Sequence, residues 1–303
     1  MKLLYDWYVF KIEFQKPVYF TVYPSFLFRS LLGMGMRSFA CILKSNKCES
    51  CTVKQTCMYS RIFETPIPKD NNILKNRNKA PHPFVIYIPD NVYKAEQSSI
   101  EIRLLLMGDY INKLPYFFYG LKKAGEFGVL KERTPFSIID VFHRGEKSLL
   151  KSDEQLEIPD SPLSWEVDTD GKSFSKSVLL EFESPLRMKL KGRFQKNLQY
   201  DDFIKCVYRR LSLLASLYGE NGEDHSLELI KKDERMNAKW VDIPYYSGRQ
   251  KEVMKMGGMK GSLALEGSFN PIELSLLEGA TLFHAGKNIS FGLGKVHYYE
   301  KEV

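Results

Sequence analysis

Two halves of this chain repeat one alternation of residue patterns, and that repetition limits the fold more than any single motif. In the first half the apolar-rich run WYVFKIEF predicts a strand. SFLFRSLLGMGMRSFACIL then carries apolar residues at helical spacing, with Ser25 placed as an N-cap. HPFVIYIPD and SSIEIRLLLMG read as two strands. YINKLPYFFYGLKKAG reads as a helix with Pro115 near its start and Gly125 at its end, and FSIIDVFHRG closes the half as a strand. The second half runs the same way. SVLLEFESPLRMKL is a strand, YDDFIKCVYRRLSLLASLYG a helix stopped by Gly219, and AKWVDIPYYS and GSLALEG two strands. NPIELSLLEGATLF is a helix with Pro271 in its first turn, and GKVHYYEKEV is the last strand.

Each half is therefore strand, helix, strand, strand, helix, strand. That order is the ferredoxin-like split βαβ unit, an antiparallel sheet covered by helices on one face. The expected class is α+β, with two tandem ferredoxin-like (βαββαβ) domains at 1–150 and 178–303. Residues 151–177 are polar and rich in turn formers, and read as a linker with room for one edge strand. A length of 303 residues suits two domains, and 44% apolar with 13% aromatic residues supplies two cores and excludes a disordered chain. The formal charge of +7 is compatible with a polyanionic partner without specifying one. No uninterrupted apolar run reaches the roughly 18 residues of a membrane span, and Asp6 interrupts the N-terminal apolar stretch, so a cytoplasmic protein without membrane contact is expected.

In that compartment the five cysteines are not expected to form structural disulfides. Cys41, Cys48, Cys51 and Cys57 are separated by six, two and five residues, and the central pair has the gap of a zinc knuckle. A structural zinc ion is the expectation, with an iron–sulfur cluster or reduced thiols as alternatives. Cys206, on an apolar helix, is expected in the core.

FHAGKNISFGLGKV, residues 283–296, places Gly286, Gly292 and Gly294 between a helix and a strand. A phosphate-binding P-loop requires Ser or Thr after its lysine and a helix after its glycines. Here Asn288 follows Lys287 and the helix comes first, so that loop is excluded, as is a dinucleotide fingerprint. Two readings remain. One is a turn whose glycines take positive φ; the other is a ligand loop, in which freed backbone N–H groups and Lys287 and Lys295 meet phosphates while Phe291 stacks on a base.

Beyond these residues, RSLLGMGMRSFAC with its cysteine cluster, FESPLRMKLKG, YRRLSLLASLYG, WVDIPYYSGRQ, MGGMKGSLALEG and FHAGKNISFGLGKV occur in one order. In this the chain resembles the RAMP superfamily of CRISPR-associated proteins, and within it the endoribonuclease that cuts the repeats of precursor CRISPR RNA, in the branch with a cysteine cluster. The resemblance implies tandem ferredoxin-like domains, a C-terminal glycine-rich loop and CRISPR repeat or guide RNA as partner, with other effector subunits as further partners. It also implies metal-independent cleavage: the 2′-oxygen attacks the phosphorus, leaving a 2′,3′-cyclic phosphate and a 5′-OH. The alternatives are a non-catalytic RAMP subunit that binds guide RNA in an effector complex, and a zinc-knuckle regulator.

For RNA contact, SPLRMKLKGRFQK in extended form would set Arg187, Lys189, Lys191 and Arg193 on one face as a basic stripe, with Lys196 beyond them. YYSGRQKEVMK adds Tyr245, Tyr246, Arg249, Gln250, Lys251 and Lys255, aromatics beside cations as single-stranded RNA favours. Arg209 and Arg210 read as helix-surface charges and Trp240 as core. Many relatives carry a histidine near the first helix, whereas the first histidine here is His82, followed by His143, His225, His284 and His297. His284, two residues before the loop, is the expected proton-transfer group, with Lys287 to stabilise charge and Tyr23, near the first helix, to place the RNA. His82, His143 and His225 are secondary candidates.

Overall fold

The structure, a computed structural model, describes residues 1–44, 47–67, 74, 79–151, 155–220, 227–247 and 252–301. It divides into two units, one of Tyr5–Pro162 and one of Met1–Leu4 with Leu163–Val303. The first contains β1 (Lys2–Tyr19, whose first residues count with the other unit), α1 (Pro24–Ala40), β2 (Phe84–Tyr87) and β3 (Glu96–Met107). α2 (Leu114–Phe127), β4 (Phe136–His143) and the short β5 (Lys147–Ser148) complete it. The strands pair antiparallel in the order β2-β3-β1-β4-β5.

Alternation decides what this sheet buries. Phe10, Ile12, Ile102, Leu104 and Leu106 join Phe28, Leu32 and Met36 of α1 and Phe117 and Leu121 of α2 in one core. Each such side chain contributes about 1.5–3 kcal/mol on burial. The two helices approach so closely that a Cβ on Gly35 would stand 2.0 Å from the carbonyl oxygen of Gly120.

The second unit contains β6 (Leu163–Glu166), β7 (Phe174–Leu186), β8 (Lys189–Leu190), β9 (Arg193–Phe194) and α3 (Tyr200–Tyr218). After these come β10 (Asp233–Ser247), β11 (Glu252–Phe269), α4 (Pro271–Phe283) and β12 (Val296–Lys301). Its sheet has the order β10-β11-β7-β12. In both units the strand–helix–strand–strand–helix–strand series gives the arrangement in which the first and third strands are central. The chain thus has two tandem ferredoxin-like domains. No helix among the described residues is long and apolar enough to cross a membrane.

Several local expectations change. Ser25 does not cap α1: Tyr23 holds the N-cap position, and Ser25 Oγ accepts a hydrogen bond from Ile88 N at 3.0 Å, tying the helix to the end of β2. α2 runs past Gly125 and stops at Gly128, whose φ of 74° an L side chain rarely adopts. The stretch read as a linker holds β6 and the first residues of β7. α4 is set by a capping box, in which Glu273 N donates to Asn270 Oδ1 (2.8 Å) and Asn270 N donates to Glu273 Oε2 (3.0 Å). The same carboxylate pairs with Lys232, and neither side chain is exposed.

Candidate nucleic-acid interface

The glycine loop begins where α4 ends, at His284 with φ 59°. Ala285 N donates to Gly294 O (2.8 Å), Lys287 N to Arg187 O (2.9 Å), Gly292 N to Ile289 O (2.8 Å) and Gly294 N to Pro185 O (3.1 Å). A Cβ on Gly294 would lie 1.8 Å from Ala285 O, and one on Gly286 would lie 2.5 Å from Arg187 O. What approaches these glycines is the chain itself. This corrects the ligand-loop reading, because four of the N–H groups that would have met phosphate already donate to carbonyls, and Gly292 and Gly294 are buried. Lys295 turns inward as well, with Nζ donating to Thr281 O at 2.8 Å near the end of α4. Lys287 is exposed.

His284 is corrected in the same way. It is only 4% exposed, and its Nδ1–H donates to Leu293 O at 3.1 Å. Burial, followed by the nearby charge of Lys295, holds its pKa well below the ordinary histidine value. Arg210, expected on a helix surface, donates instead to the carbonyls of Phe283 (2.9 Å) and His284 (3.0 Å) and closes the end of α4. Tyr23 is buried too. Its hydroxyl donates to Asp90, and its ring packs against Phe26 and Tyr93, so it holds the first unit together and is not presented to RNA.

Among the other histidines, His82 accepts from Arg29 Nη2 (3.0 Å) and donates to Ile62 O (3.1 Å). Burial, then the Arg29 charge, lowers its pKa to about 3. His143 Nε2 donates to the fully buried Asp6 (2.8 Å), which Arg144 Nε also meets at 3.0 Å. His225 lies outside the described residues. His297 Nε2 donates to Glu183 Oε2 at 2.6 Å, and each side chain is about a third exposed. The sequence reading missed this pair. The alternation in FESP and KVHYY, once the two strands are seen to be neighbours, is the signal that would have found it.

The basic stripe is rearranged. β7 stops at Leu186, and a hairpin of β8 and β9 turns at Lys191 (φ 45°) and Gly192 (φ 82°), so the four cations do not alternate along one strand. Arg187 is buried, donates from Nη1 to Gly257 O (2.8 Å) and stacks 4.2 Å from the Phe194 ring centre. Lys189, Lys191 and Arg193 are exposed on the hairpin, and Lys189 also stands over Phe194, at 5.8 Å. On the long β10–β11 hairpin, Tyr245 meets Phe291 edge-on with centroids 5.5 Å apart. Tyr246 is 61% exposed, and Lys255 is exposed opposite Pro244. Trp240, expected in the core, is half-buried, with its Nε1–H on Asp242 (2.9 Å) and Lys196 over its ring at 6.0 Å. Arg249, Gln250 and Lys251 lie outside the described residues.

Two contacts therefore gather segments distant in sequence. Arg187 ties the basic hairpin to β11 and the glycine loop, and the Phe291–Tyr245 contact ties that loop to β10. Exposed lysines and arginine with open aromatic faces are the chemistry that neutralises phosphates and stacks bases.

The four clustered cysteines are free and partly exposed. Cys51 N donates to Cys48 O (3.3 Å) in a short turn, and the Cys57 thiol points to Ala40 O at 4.0 Å. Burial raises the Cys48 pKa, which Arg37 opposes. No group of three or more His, Cys, Asp or Glu among the described residues is placed to hold a metal ion. Cys206 is half-buried on α3, and burial raises its pKa.

Comparison with known proteins places this geometry. Residues 3–162 match the AF_1859_N family, described as an N-terminal domain, and residues 180–296 match the family described as CRISPR-associated endoribonuclease Cas6. An uncharacterised protein of Archaeoglobus fulgidus is 24% identical over 301 residues, covering 91% of this chain and 93% of the relative. Among solved structures, a Cas6 product complex is 12% identical with a TM-score of 0.57, covering 97% of this chain and 100% of that one. A Thermus thermophilus Cas6 is 11% identical with a TM-score of 0.52, covering 98% and 99%. A partial Cas6-RT-Cas1–Cas2 complex is 12% identical with a TM-score of 0.50, covering 99% of this chain and 46% of that one. The match over residues 3–162 spans more than half of the chain, which therefore belongs to the AF_1859_N family; its second unit matches the CRISPR-associated endoribonuclease Cas6 family, and its full length has the tandem fold of the solved Cas6 structures.

Proposed function

We propose that this protein cuts CRISPR repeat RNA into guide RNAs without a metal ion, through attack of the 2′-oxygen on the adjacent phosphorus, leaving 2′,3′-cyclic phosphate and 5′-OH ends. The match of residues 180–296 to the Cas6 family supports repeat-RNA processing in general. The observation that carries the reading further is the second unit's surface: Lys189, Lys191, Arg193, Lys255 and Lys287 are exposed on segments tied together by Arg187 and by the Phe291–Tyr245 contact. On it, cations meet the phosphates while Tyr246 offers a ring face to an unpaired base. An RNA containing one repeat, incubated with the protein in EDTA, is expected to yield a single defined cut whose upstream fragment ends in a cyclic phosphate. Tight, salt-sensitive binding without a cut would replace this reading with that of a guide-RNA-holding subunit, for which the burial of His284 and the engagement of half-buried His82 by Arg29 and Ile62 O argue.

A further inference from the structure

We infer that His297, oriented by Glu183, takes the proton from the attacking 2′-hydroxyl; the inference rests on the endoribonuclease reading above. β12 and β7 pair with Val296 opposite Phe182 and Tyr298 opposite Leu180, and Val296, Phe182 and Leu180 are buried. Strand alternation then sets His297, Tyr299, Glu181 and Glu183 on the other face of the sheet. His297 stacks on Tyr299 with centroids 6.1 Å apart and planes 29° apart.

This pair sits at the base of the glycine loop. Glu183 N donates to Lys295 O (3.0 Å), Lys295 N donates to Ser184 Oγ (2.9 Å), and Pro185 and Arg187 accept from Gly294 and Lys287. Residues 183–187 therefore hold the pair, the loop and the root of the basic hairpin on one stretch of chain. The other described histidines lack that combination. His284 is buried and His82 half-buried, each bonded to a carbonyl, and His143 is locked to the buried Asp6, which Arg144 also engages.

A carboxylate only accepts, so Nε2 of neutral His297 carries the proton shared with Glu183, and Nδ1 keeps a lone pair. In the step, the 2′-OH proton passes to Nδ1, the O2′–P bond forms and the P–O5′ bond breaks. The leaving 5′-oxygen takes a proton from water, and the hydroxide so formed is neutralised by the proton that the imidazolium then releases. Glu183 is a positioning residue: it fixes the ring's tautomer and stabilises the imidazolium.

The test uses the full chain and a labelled RNA of one repeat from the host's own CRISPR array, under single-turnover conditions. His297→Ala is expected to slow cleavage by about 100-fold or more while leaving RNA affinity within about twofold, with activity partly restored by added imidazole. Glu183→Gln is expected to lose less, with affinity unchanged. Cleavage by His297→Ala at the wild-type rate overturns the inference alone. So does a loss that imidazole does not restore and that comes with a lowered melting temperature, or an imidazole-rescued loss in His143→Ala or His225→Ala instead. No cleavage by the wild type overturns the endoribonuclease reading and this inference with it.

Discussion

The carbonyl oxygen of Ala285 stands 1.8 Å from where a Cβ on Gly294 would lie, and Gly294 has a φ of +71°. Both facts forbid a side chain there, and neither involves RNA. Gly294→Ala is expected to destabilise the second unit by about 3 kcal/mol or more, because overlap with backbone adds to the strain of a left-handed alanine. Gly192→Ala is the comparison: its φ is +82° with nothing within 4 Å, so only strain of about 1–2 kcal/mol applies. Urea unfolding of both variants checks this, and equal losses would show that the loop moves aside freely.

How far the sequence could be read follows from what each signal depends on. Strand and helix order was legible because burial is periodic along each element, as in Val178, Leu180 and Phe182 of β7. The candidate interface was legible only by segment. The glycines and cations were found, but their partners were not, since a carbonyl 109 residues away in sequence from Gly294, that of Pro185, leaves no mark in the composition. The stripe at Arg187–Arg193 failed because Gly192 permits a hairpin where alternation alone suggested one continuing strand. His284 failed because its exposure depends on how α4 packs, which position in the sequence does not report.

The buried pair of Lys232 and Glu273 makes a second stability prediction. Lys232 also donates to Ile230 O (2.9 Å) and lies over the rings of Phe269 (4.5 Å) and Tyr200 (4.7 Å), so an unpaired ammonium there has no water to turn to. Glu273→Leu is expected to cost about 3–5 kcal/mol, and Lys232→Met with Glu273→Leu together distinctly less. Additive losses in a double-mutant cycle would contradict the coupling.

RNA affinity should separate the exposed cations from the buried one. Lys255→Ala and Lys287→Ala are each expected to reduce the slope of log affinity against log salt by about 0.7, with unchanged stability. Tyr246→Ala is expected to weaken binding by about 1–3 kcal/mol through lost base stacking, with the salt slope retained. Arg187→Ala should instead lower the melting temperature, because its guanidinium is bonded to Gly257 O and packed on Phe194. Filter binding over a salt series, paired with thermal unfolding, reads all four. An unchanged slope for both lysine variants would move the RNA elsewhere.

Acid stability follows from His82. Burial and the Arg29 charge lower its folded-state pKa from 6.5 to about 3, opposed by its hydrogen bond to Ile62 O. Above pH 6.5 the ring is neutral in both the folded and unfolded chain, and its contribution is complete. Between pH 6.5 and about 3 only the unfolded chain takes the proton, so stability falls with falling pH, by about 1.4 kcal/mol per unit for one such group. His284 has its pKa shifted in the same direction and steepens the decline. His82→Gln removes one titrating ring. It is expected to be less stable than wild type at pH 8, where Arg29 loses its acceptor, with a gap that narrows steadily toward pH 4. Urea unfolding at intervals across that range measures the gap, and parallel curves for the two proteins would mean that His82 takes up its proton without unfolding.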